Sequence, residues 1–368
     1  VSSERDVDVA VIGAGQAGLS AAHHLGRLGF PPGDGFVVLD ADAAPGGAWQ
    51  HRWPSLTVAT THRVHELPGL PFEPASDDLP AAEAVPAYFA EYERRFALPV
   101  ERPVRVSAVR RDGHGLFRVE SDRGVWRARG VVNATGTWTR PFVPHYPGQE
   151  TFRGRQLHTV GYRGAAEFAG RSVVVVGGGA SAVQLLGELA AVARTTWVTR
   201  RPPVWREGPF GEEQGRAAVA RVAEAVRAGR MPGSVVGTTG LVVTPWVRRA
   251  LDAGVLTRLP VFDRITPDGV AWDDGRSVPA DVILWATGFR AAVGHLAPLR
   301  LRTRDGVIPV AGTAAVEEPR LQLVGYGPSA STIGANRAGR TAAVALRRLL
   351  DADTGADTGA GAALPRSA

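Results

Sequence analysis

Two glycine-rich loops, each directly behind a short apolar run, constrain this chain more than any other feature. The first, Gly13-Ala14-Gly15-Gln16-Ala17-Gly18, follows Val7-Asp8-Val9-Ala10-Val11-Ile12 and precedes residues 19–28, whose small side chains suit a packed helix face. An apolar β-branched run, a glycine turn and a helical pattern predict a strand, a tight turn and a helix in succession. In such a unit Gly13 makes the turn, Gly15 lets a pyrophosphate approach the backbone, and Gly18 allows close packing of helix on strand. The N–H groups and positive dipole of the helix start, where Gln16 and Ala17 stand, then hold the phosphates. Phe36-Val37-Val38-Leu39 reads as the next strand and ends in Asp40, placed by its distance along the chain to accept hydrogen bonds from an adenosine ribose.

The second loop, Gly177-Gly178-Gly179-Ala180-Ser181-Ala182, repeats the arrangement. Residues 172–176 predict a strand, 183–191 a helix carrying Gln184, and 196–199 a second strand that ends in Arg200 and Arg201 where the first unit has Asp40. A carboxylate at this point suits a free 2′-hydroxyl, whereas guanidinium groups match the oxygens of a 2′-phosphate. The first unit therefore reads as an FAD site and the second as an NADPH site.

Bulk properties narrow the class. With 368 residues and 44% hydrophobic content the chain is long enough for two or three cored domains. No apolar run approaches the roughly 20 residues needed to span a bilayer, and the first residues lack a basic start followed by an apolar stretch, so a cytoplasmic location is expected. The net charge of +6 comes from arginines scattered among acids, without the clustering that nucleic-acid binding requires. Cysteine is absent, which removes disulfide-reductase chemistry unless a partner supplies the thiols. The nine histidines are dispersed, and His62 with His65 lacks the HExxH context, so no metal site is expected.

The organisation follows from two matching triplets, Ala134-Thr135-Gly136 and Ala286-Thr287-Gly288, each behind a predicted strand, at 125–133 and 278–284. Small residues suit crossings between domains where backbone passes close to a cofactor. The expected fold class is α/β, with two Rossmann-like dinucleotide-binding domains, the NADPH domain inserted into the FAD domain. Residues 1–160 form the first part of the FAD domain, 161–284 the NADPH domain with a helical insertion near 206–256, and 285–350 the second part of the FAD domain. Within the last part, 297–326 supplies strands and 331–350 a closing helix; 351–368 reads as a disordered tail rich in Ala, Gly, Asp and Thr. Tyr88, Phe89, Tyr92 and Phe96 recur at helical spacing and predict a core-facing helix. The insertion, with helices expected at 212–228 and 245–253, is either a substrate wall or passive cover.

Between the units, Phe152-Arg153-Gly154-Arg155-Gln156-Leu157-His158-Thr159-Val160-Gly161-Tyr162 matches FxGxxxHxxxY. With the two loops, Gly46-Gly47-Ala48-Trp49 and both crossings, the chain up to about residue 350 resembles the class B flavoprotein monooxygenases, above all the flavin-containing monooxygenases that include bacterial members and the plant enzymes of auxin synthesis. The resemblance implies that NADPH reduces FAD, that the reduced flavin adds dioxygen as a C4a-hydroperoxide, and that one oxygen passes to a small-molecule substrate. NADP⁺ then stays bound to shield the intermediate from water. It places Gly47, Trp49 and Arg52 at the flavin or its pyrophosphate, a Val106 backbone amide at the adenine, and Thr332 at the start of a helix whose dipole faces the reduced flavin. Gly177, Gly179, Ala180, Ser181 and Gln184 surround the nicotinamide dinucleotide. For Thr332 and Ser181 helix capping is the alternative. His158 lies at the interdomain hinge, either orienting nicotinamide-side groups and domain movement or serving as a hydrogen-bonded hinge residue.

Two departures bear on the chemistry. Baeyer-Villiger members usually carry Trp followed by Pro or Asp at the end of the fingerprint, whereas this chain has Tyr162-Arg163, which favours oxygenation of an amine or sulfur over ester formation. Where relatives place an asparagine beside the flavin, the segment Ala59-Thr60-Thr61-His62 offers Thr61 or His62 to hydrogen-bond the hydroperoxide. Baeyer-Villiger oxygenation of a ketone and a dinucleotide-binding redox sensor without turnover are the rival readings. The expected partners are a small substrate and dioxygen, with neither nucleic acid nor membrane, and the oligomeric state stays open.

Overall fold

The computed structural model describes residues 4–61, 64–208, 212–231 and 240–359. Two sheets, the first mixed and the second parallel, carry the two glycine loops, each behind a parallel strand. The first is built on β1 (Glu4–Ile12), β2 (Phe36–Leu39), β3 (Gly124–Asn133) and, late in the chain, a strand at Leu321–Leu323, with all of these neighbours parallel. β1 is exposed at its start and continuously buried over Val9–Ile12, because a parallel strand near its C-terminal end is covered on both faces. Helix α1 (Gln16–Arg27) packs one face together with α2 (Ala81–Arg95) and the closing helix. An antiparallel pair at Val106–Arg111 and Phe117–Ser121 extends from β3 and covers the other face.

The second sheet is wholly parallel. Its order places β7 (Arg258–Pro260) beside β6 (Arg194–Thr199), then β5 (Ser172–Val176), β8 (Val282–Trp285) and β4 (Arg155–His158). The edge strand β4 starts at Arg155, so the second sheet begins ahead of residue 161. The expected strand at 278–284 is two elements: Ser277–Pro279 closes a small antiparallel sheet with Arg264–Thr266 and Gly269–Ala271, and β8 follows after a turn. Helix α3 (Ala180–Leu189) covers one face.

Val85, Tyr88, Phe89 and Tyr92 are buried on α2, which makes the aromatic spacing a core face. Of the insertion helices, α5 (Pro245–Asp252) stays with the second unit: Val247 is in its core, and Trp246 approaches α3 at Gly187. Helix α4 (Glu212–Arg227) instead crosses over. Val226 joins the core of the first unit, and Thr303 Oγ1 donates to Gly229 O at 2.7 Å just beyond the helix. The closing helix α6 runs Thr332–Gly359, past residue 350, so the Ala/Asp-rich stretch 351–359 is helical rather than disordered. Ala and Asp at these positions permit a helix to continue, and Arg320 ion-pairs with Asp353 at 2.8 Å. Residues 360–368, the rest of the expected tail, lie outside the described residues. Among the described residues no helix is long and apolar enough to cross a membrane.

Candidate active site

Both glycine loops close on a crossing. Gly13 has φ +101°, and a Cβ there would stand 2.7 Å from Ala134 O; Gly177 has φ +142°, and its Cβ would stand 2.2 Å from Ala286 O. Each loop therefore needs glycine twice over at its first position, for a backbone conformation that L side chains rarely adopt and for contact with the Ala-Thr-Gly backbone. At Gly15 and Gly179, the caps of α1 and α3, a Cβ would meet no protein atom within 4 Å. Neither cap residue spends a side-chain hydrogen bond on the first turn, so the N–H groups of both helix starts face outward.

A cavity of about 480 Å³ opens over the first loop. Gly13, Gly15, Gln16, Ala17, Asp40, Gly47, Trp49, Arg52, Val106, Ala134, Thr135 and Gly136 all line it, and so do Trp138, His295, Ser329 and Ser331. Gly18, the third glycine of the loop, packs inward against Gly13 O, as close packing of the helix on the strand requires, and is not on the wall. Thr332 opens α6 as expected, while Ser331 just before it is the residue on the wall.

Asp40 is buried, and its Oδ2 accepts from Arg102 Nε at 2.9 Å; Arg102 also holds both oxygens of Glu93 at 2.6 and 2.7 Å. Burial pushes the Asp40 carboxyl up while the Arg102 guanidinium pulls it down. Gln16 Nε2 donates to His65 O (2.8 Å) and to Asn336 Oδ1 (3.1 Å), which leaves Oε1 buried without a partner.

His295, which no spacing signal singles out, enters the wall from a short 3-10 helix, Gly294–Leu299. Its Nε2–H donates to Asn133 Oδ1 at 2.7 Å, Asn133 Nδ2 donates to Thr135 Oγ1 at 3.2 Å, and Thr135 Oγ1 donates to Ala292 O at 2.7 Å. This relay ties the first crossing to the chain just beyond the second. Burial, then nearby Arg302, lowers the His295 imidazole to about 4 from 6.5. As pH falls the unfolded chain takes up this proton first, so stability present above about pH 6.5 is lost as the pH approaches 4, by roughly 3 kcal/mol in total. His295→Gln is expected to flatten the pH dependence of the urea midpoint between about pH 6.5 and 5, removing up to about 1.4 kcal/mol per pH unit. An unchanged slope would mean that His295 is not held neutral here.

His158 ends β4, buried and away from the cavity wall. Its Nε2–H donates to Gly288 O at 2.9 Å, Nδ1 accepts from Val160 N–H at 3.3 Å, and its ring meets Phe289 edge-on at 5.0 Å. Burial lowers its pKa, against the opposing pull of the Gly288 carbonyl. The imidazole thus joins the end of β4 to the second crossing as a neutral tautomer with both nitrogens in use.

Of the expected flavin-side pair, only Thr61 is among the described residues. Thr61 Oγ1 donates to Val58 O at 2.8 Å and Thr61 is not on the wall, while His62 lies outside the described residues. The segment leading to them, residues 53–60, is held by the second unit. On α3, Glu188 accepts from Trp53 Nε1 (3.1 Å), Ser55 Oγ (2.8 Å) and Tyr162 Oη (2.9 Å), and Gln184 Nε2 donates to Thr60 O (2.7 Å). Gln184 is therefore an interdomain tie, and Tyr162, fully buried against Trp53 and Phe168, is a core residue. Ser181 provides no cap. Arg200 and Arg201 are exposed at the end of β6, with no ion pair among the described residues, and Arg258 reaches the same strand end through Thr199 Oγ1 at 2.7 Å. Ala180 opens α3, and Thr287 Oγ1 donates to Phe142 O across the second crossing.

Two nucleotide loops behind parallel strands, joined by paired crossings, define the class of two-dinucleotide oxidoreductases. Residues 10–210 match the family described as pyridine nucleotide-disulphide oxidoreductase, and the chain belongs to that family, among its flavin-containing monooxygenases. A solved flavin-containing monooxygenase from Stenotrophomonas maltophilia is 38% identical with a TM-score of 0.77, covering 94% of this chain and 99% of that one. The rice indole-3-pyruvate monooxygenase YUCCA1 is 29% identical over 331 residues, 77% of each chain. An uncharacterized oxidoreductase, CzcO of Bacillus velezensis, is 30% identical over 198 residues, 54% of this chain and 56% of that protein. The chain thus matches about half the length of that relative. With no cysteine, it holds no thiol pair for the disulphide chemistry in the family's description.

Proposed function

We propose that the protein is an FAD-containing, NADPH-consuming monooxygenase that oxygenates the sulfur or amine nitrogen of a small soft nucleophile. One observation carries the reading: the open space at Gly15, over the start of α1, belongs to a cavity that is also lined by the first crossing, Ala134-Thr135-Gly136, and by Ala292 and His295 from the chain just beyond the second. That shape fits a dinucleotide lying along the loop with its reactive end at the seam between the sheets. Bound flavin supplies hydride acceptance and the activation of dioxygen.

The chain's residues bind, orient and exclude water. The N–H groups at the start of α1 take the flavin pyrophosphate, Asp40 the adenosine ribose, and Val106 borders the adenine end. Trp49 and Trp138 dry the wall near the seam. At the second loop, the N–H groups of Gly179 and Ala180 take the nicotinamide dinucleotide and Arg200 and Arg201 its 2′-phosphate. His158 holds the hinge carbonyl of Gly288 and so sets the approach of one dinucleotide to the other. In the balanced reaction the substrate heteroatom gains one atom of dioxygen, the O–O bond breaks, and the other atom leaves as water with one proton from solution and the hydride equivalent of NADPH, which becomes NADP⁺. The burial of Tyr162 in the second unit's core takes the end of the fingerprint away from the substrate, so the discrimination between heteroatom and ketone rests elsewhere in the site.

The test is transfer of label from dioxygen into a thioether, with NADPH and NADH compared. Replacing Arg200 and Arg201 together by Gln is expected to lower kcat/KM for NADPH by roughly 10- to 100-fold, mostly through KM, with little change for NADH. Equal effects on both nucleotides would remove the phosphate role. A yellow protein that consumes NADPH and never labels a product would move the reading towards an oxidase.

A further inference from the structure

Arg52 is a half-buried cation on the cavity wall, with no anion beside it among the described residues. Its Nε is enclosed and has no hydrogen-bond partner, and no ion pair or hydrogen bond links its guanidinium to any described residue. An enclosed guanidinium N–H without an acceptor is costly, so the group is poised to gain from an anion brought into the cavity. It is held by aromatic faces instead: the Arg52 Cζ lies 4.6 Å from the Trp138 ring centroid and 5.7 Å from that of Trp49. Cation–π contact fixes the plane of the group and leaves its edge, where the N–H groups point, unspent.

Its position separates it from the phosphate end of the cavity. The short helix Gly47–His51 begins against the first loop, where a Cβ on Gly47 would stand 2.9 Å from Gly15 Cα, and Arg52 follows its other end. There Trp138 stacks on Phe289 (5.3 Å), which directly follows the second crossing and touches His158. The cation therefore faces the seam where the two units meet, and α1, with its unspent N–H groups, faces the pyrophosphate.

Resting on the oxygenase reading above, we propose that Arg52 is a substrate-specificity residue that binds an oxyanion, and that the preferred substrates are soft nucleophiles bearing a carboxylate. Two N–H groups of a stacked guanidinium match a carboxylate edge-on, which anchors the charged end and leaves the sulfur or nitrogen free to face the flavin.

The test uses the flavin-loaded protein and a matched pair, methylthioacetate and methylthioacetamide, which differ in charge and little in shape. The expected kcat/KM ratio favours the acid by roughly 10- to 100-fold. Arg52→Gln brings the ratio near unity, Arg52→Lys retains part of it, and the calorimetric Kd for the acid rises by a similar factor with flavin stoichiometry maintained. If Arg52→Gln does not fold, Arg52→Met, which keeps the apolar contact with the tryptophans, replaces it. Loss of flavin with an unchanged acid-to-amide ratio would overturn the proposal and assign Arg52 to the cofactor. A wild-type ratio near unity, with labelled sulfoxide still formed, would overturn it too and leave the oxygenase reading standing. Absence of any labelled product would instead strike that reading.

Discussion

Gly15→Val is expected to give a folded protein without colour. A Cβ at this position meets no protein atom beyond its chain neighbours within 4 Å, and the backbone at φ −79° and ψ −173° is an extended conformation that valine adopts freely. Fold stability should therefore fall by only about 1 kcal/mol, the cost of a poor N-cap residue. The same side chain stands where the flavin pyrophosphate must approach the N–H groups of α1. Losing that approach should weaken flavin binding by about 1000-fold or more, since each 1.4 kcal/mol is a factor of ten. Circular dichroism and the flavin-to-protein ratio after reconstitution decide the matter together. A yellow variant of full stoichiometry would take the flavin away from this loop, and an unfolded one would make Gly15 a requirement of the fold.

The second large effect is an asymmetry between the loops. Gly18→Ala is expected to cost about 3 kcal/mol or more, because its Cβ would fall 1.9 Å from Gly13 O, a backbone atom held by the crossing behind it. The second loop carries Ala182 at the matching position, fully buried and accommodated, with Gly177 at φ +142° where Gly13 has +101°. Ala182→Gly should therefore cost only about 1 kcal/mol, the helix propensity difference. Urea denaturation of the two variants is the comparison. Equal losses would show that the first loop is no tighter than the second.

Much of the architecture was legible from local pattern. Strand, glycine turn and helix follow one another within about 20 residues in each unit, and both crossings announce themselves by small residues behind an apolar run. These features depend on backbone geometry over a few residues, which composition records directly. The second sheet's edge strand was harder, since Arg155–His158 alternates weakly and is defined by its pairing with β8. The tail misled in the opposite sense: alanine-rich sequence with few large apolar residues reads as disorder, yet α6 carries it on as helix from a well-packed start at Ala335, Ala338, Ala342 and Leu346.

The site divides along the same line. Residues that act through their backbone, Gly13, Gly15 and the Ala-Thr-Gly triplets, could be read from the chain alone because their chemistry is the turn itself. What a side chain touches was decided by the tertiary structure. Arg102 reaches Asp40 from 62 residues away, His295 reaches Asn133 from 162, and Glu188 gathers Trp53, Ser55 and Tyr162 from two different segments. Gln184 was expected to hold a dinucleotide and instead holds Thr60 O, and Thr61 spends its hydroxyl on its own turn. Sequence spacing orders neighbours within a turn of helix or a pleat of strand; which distant polar atoms meet depends on how the two sheets dock, and only the folded chain supplies that.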